Sequence, residues 1–133
     1  MQATQIGTTQ WLAVGGGAAL GAWLRWGLSI ALNASVLPLG TLIANLGGGL
    51  LMGMALAYFI STSGQNASHD TWRLFIMIGF LGSLTTFSAF SAEAFSFLQK
   101  QQYALAAAHI SSHVIGSLLM TALGFYLMHH LRN

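Results

Sequence analysis

The run Gly82-Ser83-Leu84-Thr85-Thr86-Phe87-Ser88-Ala89-Phe90-Ser91 decides how this chain is read. Five hydroxyls, two phenyl rings and a glycine fall within ten residues. The run sits near the middle of an apolar stretch, about residues 72–98. That length exceeds the roughly 20 residues that carry a helix across about 30 Å of hydrocarbon at 1.5 Å each. Lipid offers no hydrogen bonds to hydroxyls or to loosened backbone, so such a run must be buried in protein or line a polar pathway. Glycine and consecutive β-branched threonines lower helix propensity, and their hydroxyls compete for the backbone. A break is therefore expected between Gly82 and Thr86, and carbonyls freed at mid-depth make a good cation site.

Outward from this run lie three further apolar stretches, about residues 11–32, 39–60 and 103–130. Of the 133 residues, 55% are hydrophobic and only 5% charged. A water-soluble domain carries about 25% charged residues, so the composition reads as an all-α integral membrane protein with four transmembrane helices. The whole chain, 1–133, reads as one domain, because the connections at 33–38, 61–71 and 99–102 are short and polar. The first stretch continues past Arg25 without the basic start and small-residue exit of a signal peptide, so it is expected to be retained after a short polar lead, residues 1–10. The absence of cysteine rules out disulfides and thiolate metal sites.

Four spans put both ends and the second loop on one side, and the other two loops opposite. Arg73 and Arg132 mark one side; Lys100, with Arg25 if it lies near that end, marks the other. Orientation normally follows an excess of Lys and Arg in cytoplasmic loops, and no clear excess exists here. Insertion in both orientations is expected. Gly17-x-x-x-Gly21 and Gly49-x-x-x-Gly53 permit close helix contact, either within the chain or between copies. With so much intramembrane polarity, their density favours an oligomer, and oppositely inserted copies would pair about an axis in the membrane plane.

In the fourth stretch His109, His113, Ser117 and Thr121 recur every four residues, forming one polar stripe about 18 Å long. Back-bonding of Ser and Thr to their own helix is the plainer alternative for each hydroxyl. The second stretch places Thr41 and Asn45 four apart. The Asn45 amide could clasp a neighbouring helix or aim its N–H at an anion. Phe87 and Phe90 share a face, which is ordinary packing or a row of electropositive ring edges that meets an anion. Glu93 is an intramembrane carboxylate one turn beyond. Arg25 admits snorkelling, pairing, or a positive potential at a vestibule. No nucleotide loop, catalytic triad or metal-ligand cluster stands out, and His129-His130 reads as an exposed tail.

Taken together, these motifs resemble the CrcB/Fluc family of fluoride channels, small dual-topology bacterial membrane proteins. The resemblance rests on Gly21-x-x-x-Arg25, on Gly40-Thr41-Leu42-Ile43-Ala44-Asn45-Leu46-Gly47-Gly48, on 82–93 and on 113–121, in that order along nearly the whole chain. It implies an antiparallel homodimer in the bacterial inner membrane with two fluoride pores and passive export that relieves fluoride toxicity. Each pore would use Asn45, Phe87 and Phe90 from opposite subunits, and hydroxyls at Ser88, Ser117 and Thr121. It also implies a structural sodium ion on the dimer axis, held by the backbone carbonyls of Gly82 and Thr85. Arg25, Thr41, Glu93 and His113 would be vestibule or structural positions. Two departures stand out: Ala89 where the family often has threonine, and Ser83 where glycine is frequent. The expected partners are a second copy and the lipid bilayer, with no nucleic acid. The alternative is a small dual-topology drug/proton antiporter working through Glu93, although Glu93 lies beyond the hydroxyl run.

Overall fold

A computed structural model describes residues 7–62 and 67–132. The start of the polar lead, 1–6, and the middle of the second loop, 63–66, lie outside the described residues. Among those described, the chain is helical, without strands. Helix α1 spans Thr8–Leu32 and α2 spans Leu39–Ser61. Helix α3 covers 67–84 in three parts: Ala67–Arg73, wider π-helical turns over Leu74–Leu81, and Gly82–Leu84. Helix α4 is Phe87–Gln99 and α5 is Tyr103–Leu131.

Each boundary has a local cause. Asn33, in the loop after α1, accepts the Gly40 N–H at 2.7 Å and the Thr41 N–H at 3.4 Å, so it satisfies donors that the first turn of α2 leaves open. Helix α4 ends in a tight turn in which Gln102 N–H returns to Phe97 C=O at 2.9 Å and Gln101 N–H to Leu98 C=O at 3.0 Å. That pairing requires a left-handed residue, and Gln101 supplies it at φ 56° where glycine is the usual choice.

The helices pack in two pairs, α1 along α3 and α2 along α5, and glycine sets both approaches. A Cβ at Gly17 or Gly21 would strike the α3 backbone at Phe75 and Phe80, and one at Gly79 would meet Gly17 Cα at 3.0 Å. A Cβ at Gly53 would strike Thr121 and Phe125, and one at Gly124 would strike Leu50. Both small-xxx-small pairs are therefore engaged within the chain. Contacts within the chain account for these glycines, which therefore give no support to an oligomer.

Among the described residues, three helical stretches are long and apolar enough to cross a bilayer: Leu39–Ser61, Ser68–Gln99 and Tyr103–Leu131. Helix α1 has the length, 25 residues, but Gly15–Gly17, Gly21, Arg25 and Gly27 dilute its hydropathy. The expectation of four spans is thus met for three on composition. Few large side chains are buried, Leu81 and Leu84 among them, whereas Trp11, Trp23, Leu118 and Tyr126 all face outward. Such an apolar exterior suits a bilayer and does not suit water.

Candidate functional site

The break falls at Thr85 and Thr86. Both leave helical geometry, at φ −79°, ψ 153° and φ −150°, ψ 121°. Thr85 ends the upper half by returning its N–H and its hydroxyl to Leu81 C=O, at 3.1 and 2.9 Å. Thr86 starts the lower half as an N-cap, its Oγ1 accepting the Ala89 N–H at 3.2 Å. The sequence localised this opening from propensity alone.

What holds it open is Asn45. Its Oδ1 accepts the Thr86 N–H at 2.7 Å, and its Nδ2 donates to the Thr86 C=O at 3.0 Å. One side chain thereby replaces both helical bonds of the extended residue. Because Thr86 presents one donor and one acceptor, the amide orientation is fixed. The remaining Nδ2 hydrogen points at His113 Nδ1, 2.9 Å away. His113 must accept there, so its neutral ring carries the proton on Nε2. Of the two readings of Asn45, the interhelical clasp accounts for these contacts.

The clamp has a consequence for the backbone. In an unbroken helix Gly82 C=O would accept from Thr86 N–H, and Thr85 C=O from Ala89 N–H. Those donors go instead to Asn45 and to Thr86 Oγ1. The Gly82 and Thr85 carbonyls are therefore among those at the break whose usual helical donors are diverted. Ser83 C=O takes the Arg25 Nε–H at 3.0 Å, which makes Arg25 an anchor between α1 and the end of α3.

Beside the clamp lies a cavity of about 270 Å³ lined by Asn45, Thr85, Thr86, Phe87, Phe90, His113, Val114 and Ser117. Phe90 is buried and stacks near His113, ring centres 4.8 Å apart. Phe87 lies 5.5 Å from Phe90 but is 79% exposed, so it stands at the outer rim. A larger cleft of about 450 Å³, between Gln10, Asp70 and Arg73, contains none of the candidate residues.

The remaining candidates lie apart from this cavity. Ser88 is exposed, its hydroxyl 3.3 Å from Thr86 Oγ1. Thr121 donates to the Ser117 carbonyl at 2.8 Å, the back-bonding alternative, and a Cβ at Gly49 would meet its hydroxyl at 3.1 Å. Thr41 is buried and donates to Glu93 Oε1 at 2.6 Å. Glu93 Oε2 faces His109 Nε2 at 3.4 Å. The polar stripe of α5 thus divides: His109 and His113 turn toward α4 and the clamp, while Thr121 packs on the glycine face of α2. Sequence reasoning found no metal-ligand cluster, yet Glu93, His109 and His113 each bring a ligand atom to within 4.8 Å of the others. The four-residue spacing of the histidines was the available signal.

Apolar membrane-length helices around a clamped polar opening define a multi-pass integral membrane protein. The family described as CrcB-like protein, Camphor Resistance (CrcB), matches residues 12–125, and the chain belongs to it. It is 52% identical over 116 residues to a protein of Marinobacter nauticus, covering 86% of this chain and 90% of that one. It is 53% identical over 119 residues to one of Pseudomonas aeruginosa, covering 88% and 91%. A third, from Cupriavidus pinatubonensis, is 50% identical over 123 residues, covering 91% and 95%. All three carry the name fluoride-specific ion channel FluC, which denotes conduction without catalysis.

Proposed function

We propose that this protein is a passive fluoride channel that lets the anion leave the bacterial cytoplasm down the membrane potential, relieving its toxicity. The observation that carries the proposal is the opening at Thr85–Thr86, clamped by Asn45 and bordered by Phe90, His113 and Ser117. Fluoride is small and strongly hydrated, so a pore must replace its water with several weak donors. Hydroxyls, imidazole N–H and ring edges do so without a trapping charge, and conduction requires sites weak enough to leave. The names of relatives about half identical over most of the chain support the same ion.

The working unit in this reading is an antiparallel homodimer in the inner membrane, each 1–133 chain one domain of four transmembrane helices, α1 included. The even charge distribution supports dual insertion. The exposed Phe87 supports a pore wall completed by a second copy. Ser88, exposed beside Phe87, and Ser117 would extend the path; Thr121 would join it only by giving up its backbone bond. The freed carbonyls of Gly82 and Thr85 fit a hard cation such as sodium, whose part would be to hold the two broken helices together by charge. Arg25 and Thr41 act as structural anchors, and Glu93 sits to the side of the pathway.

Purified protein in liposomes loaded with fluoride or chloride tests the function when a potassium ionophore sets the potential. Rapid fluoride loss with chloride retained supports the channel. Proton-coupled uptake of organic cations without fluoride loss would support the antiporter and overturn the proposal.

A further inference from the structure

His109 and His113 are both about 3% exposed and lie four residues apart on one face of α5. Glu93 meets them from α4, its Oε2 3.4 Å from His109 Nε2. Three buried atoms in this cluster, Glu93 Oε2, His109 Nε2 and His113 Nε2, have no hydrogen-bond partner among the described residues. Native interiors rarely leave such atoms unsatisfied, because one costs about 1–3 kcal/mol; here Glu93 Oε2 and His109 Nε2 have only each other, without hydrogen-bond geometry, and His113 Nε2 has nothing. The cluster is also oriented from behind. Thr41 holds Glu93 Oε1 at 2.6 Å, and Asn33 Nδ2 donates to Thr41 Oγ1 at 3.3 Å, which aims Oε2 at the histidines. That is the support an outer shell gives to a metal-binding carboxylate.

A carboxylate with an i, i+4 histidine pair is a donor set for zinc-like ions. With ligands about 2.0–2.1 Å from a tetrahedral ion, neighbouring donors lie about 3.3 Å apart. The Glu93–His109 separation already matches, and one ligand atom from each of the three residues lies within 4.8 Å of the others. Glu93 is also reached from a cleft of about 220 Å³ lined by Asn33, Pro38 and Lys100, which gives an ion a way in.

We propose that Glu93, His109 and His113 form a site for a divalent transition-metal ion such as zinc, and that filling it draws His113 away from Asn45. The second part follows from the ring's proton. A metal at Nε2 needs the lone pair there, so the proton moves to Nδ1. It then faces Asn45 Nδ2, 2.9 Å away, with a hydrogen on each nitrogen, and that hydrogen bond is lost. Metal occupancy and the Asn45 clamp therefore compete for one imidazole. His113 lines the cavity beside Asn45, so its displacement would also slow ion flow; that consequence rests on the channel reading above, and the binding site itself does not.

Cobalt(II) titrated into the purified full-length protein reports the site by its visible absorption. The expected result is one ion per chain, displaced by zinc, with affinity at least about tenfold weaker in Glu93→Gln, His109→Ala and His109→Gln. His129→Ala combined with His130→Ala is expected to keep it. Size exclusion identifies the variants that stay folded. Absorption that never develops, or that survives all three cluster substitutions, overturns the site. In liposomes, zinc is expected to slow fluoride efflux of the native protein at least about tenfold more than that of His109→Gln, each measured against its own metal-free rate. Equal zinc sensitivity overturns the link to Asn45. A native protein that binds cobalt but conducts no fluoride without metal would fault the channel reading alone.

Discussion

Asn45 ties α2 to the break between α3 and α4 and to α5. Its carboxamide satisfies both backbone groups of Thr86 and selects the tautomer of His113. Asn45→Leu would strand the part-buried N–H and C=O of Thr86, each costing up to about 1–3 kcal/mol. We expect a lower melting temperature in detergent and loss of fluoride conduction together. Native melting with intact flux would show that the break needs no clamp. Asn45→Asp is expected to fall between native and Leu in stability, since it keeps the bond from Thr86 N–H but gives Thr86 C=O a repelling oxygen. Fluorescence melting of the three proteins side by side gives the order. The chemistry of Asn45 was legible in the sequence, because an amide in a membrane helix must find partners. Its partners were not: Thr86 and His113 are 41 and 68 residues away, and no periodicity within one helix reveals them.

The broken helix was the most legible element, since Gly82, Thr85 and Thr86 carry the weakness in their own propensities. Less legible was the use of glycine. The Gly17/Gly21 and Gly49/Gly53 pairs read equally as contacts within or between chains, and only the packed structure assigns them to α1–α3 and α2–α5. Gly53→Ala would drive a methyl group into the Thr121 and Phe125 backbone of α5, where no flexible side chain can yield. We expect a loss of about 1–3 kcal/mol or more, up to failure to fold, by analogy with overpacked cores. Gel filtration showing a native, equally heat-stable protein would contradict that packing. The α4–α5 turn offers the opposite change. Gln101→Gly would relieve the left-handed residue at φ 56° and is expected to stabilise by about 0.5–1 kcal/mol, seen as a higher melting temperature.

At the level of the assembled protein, the chain has a small core, an apolar exterior and a phenyl ring, Phe87, standing free at the rim of its polar cavity. The composition announced the membrane, because it depends on totals and not on contacts; the four Lys and Arg residues give only an expectation of how the chain is oriented. If four charges leave insertion undecided, moving one or two Lys or Arg residues between loops should fix it. Reporters fused to the C-terminus are expected to detect both orientations of the native chain and one of the altered chain; a single orientation in the native chain would contradict dual insertion. A channel reading makes the cavity beside Asn45 the route of the ion, with Phe90 in its wall. Voltage-driven fluoride efflux from liposomes, measured for the native protein and Phe90→Ile, tests this most directly. Fast fluoride loss by the native protein, with efflux at least about tenfold slower in a Phe90→Ile protein that still folds and pairs, is the expected result. Equal efflux from the two would contradict it.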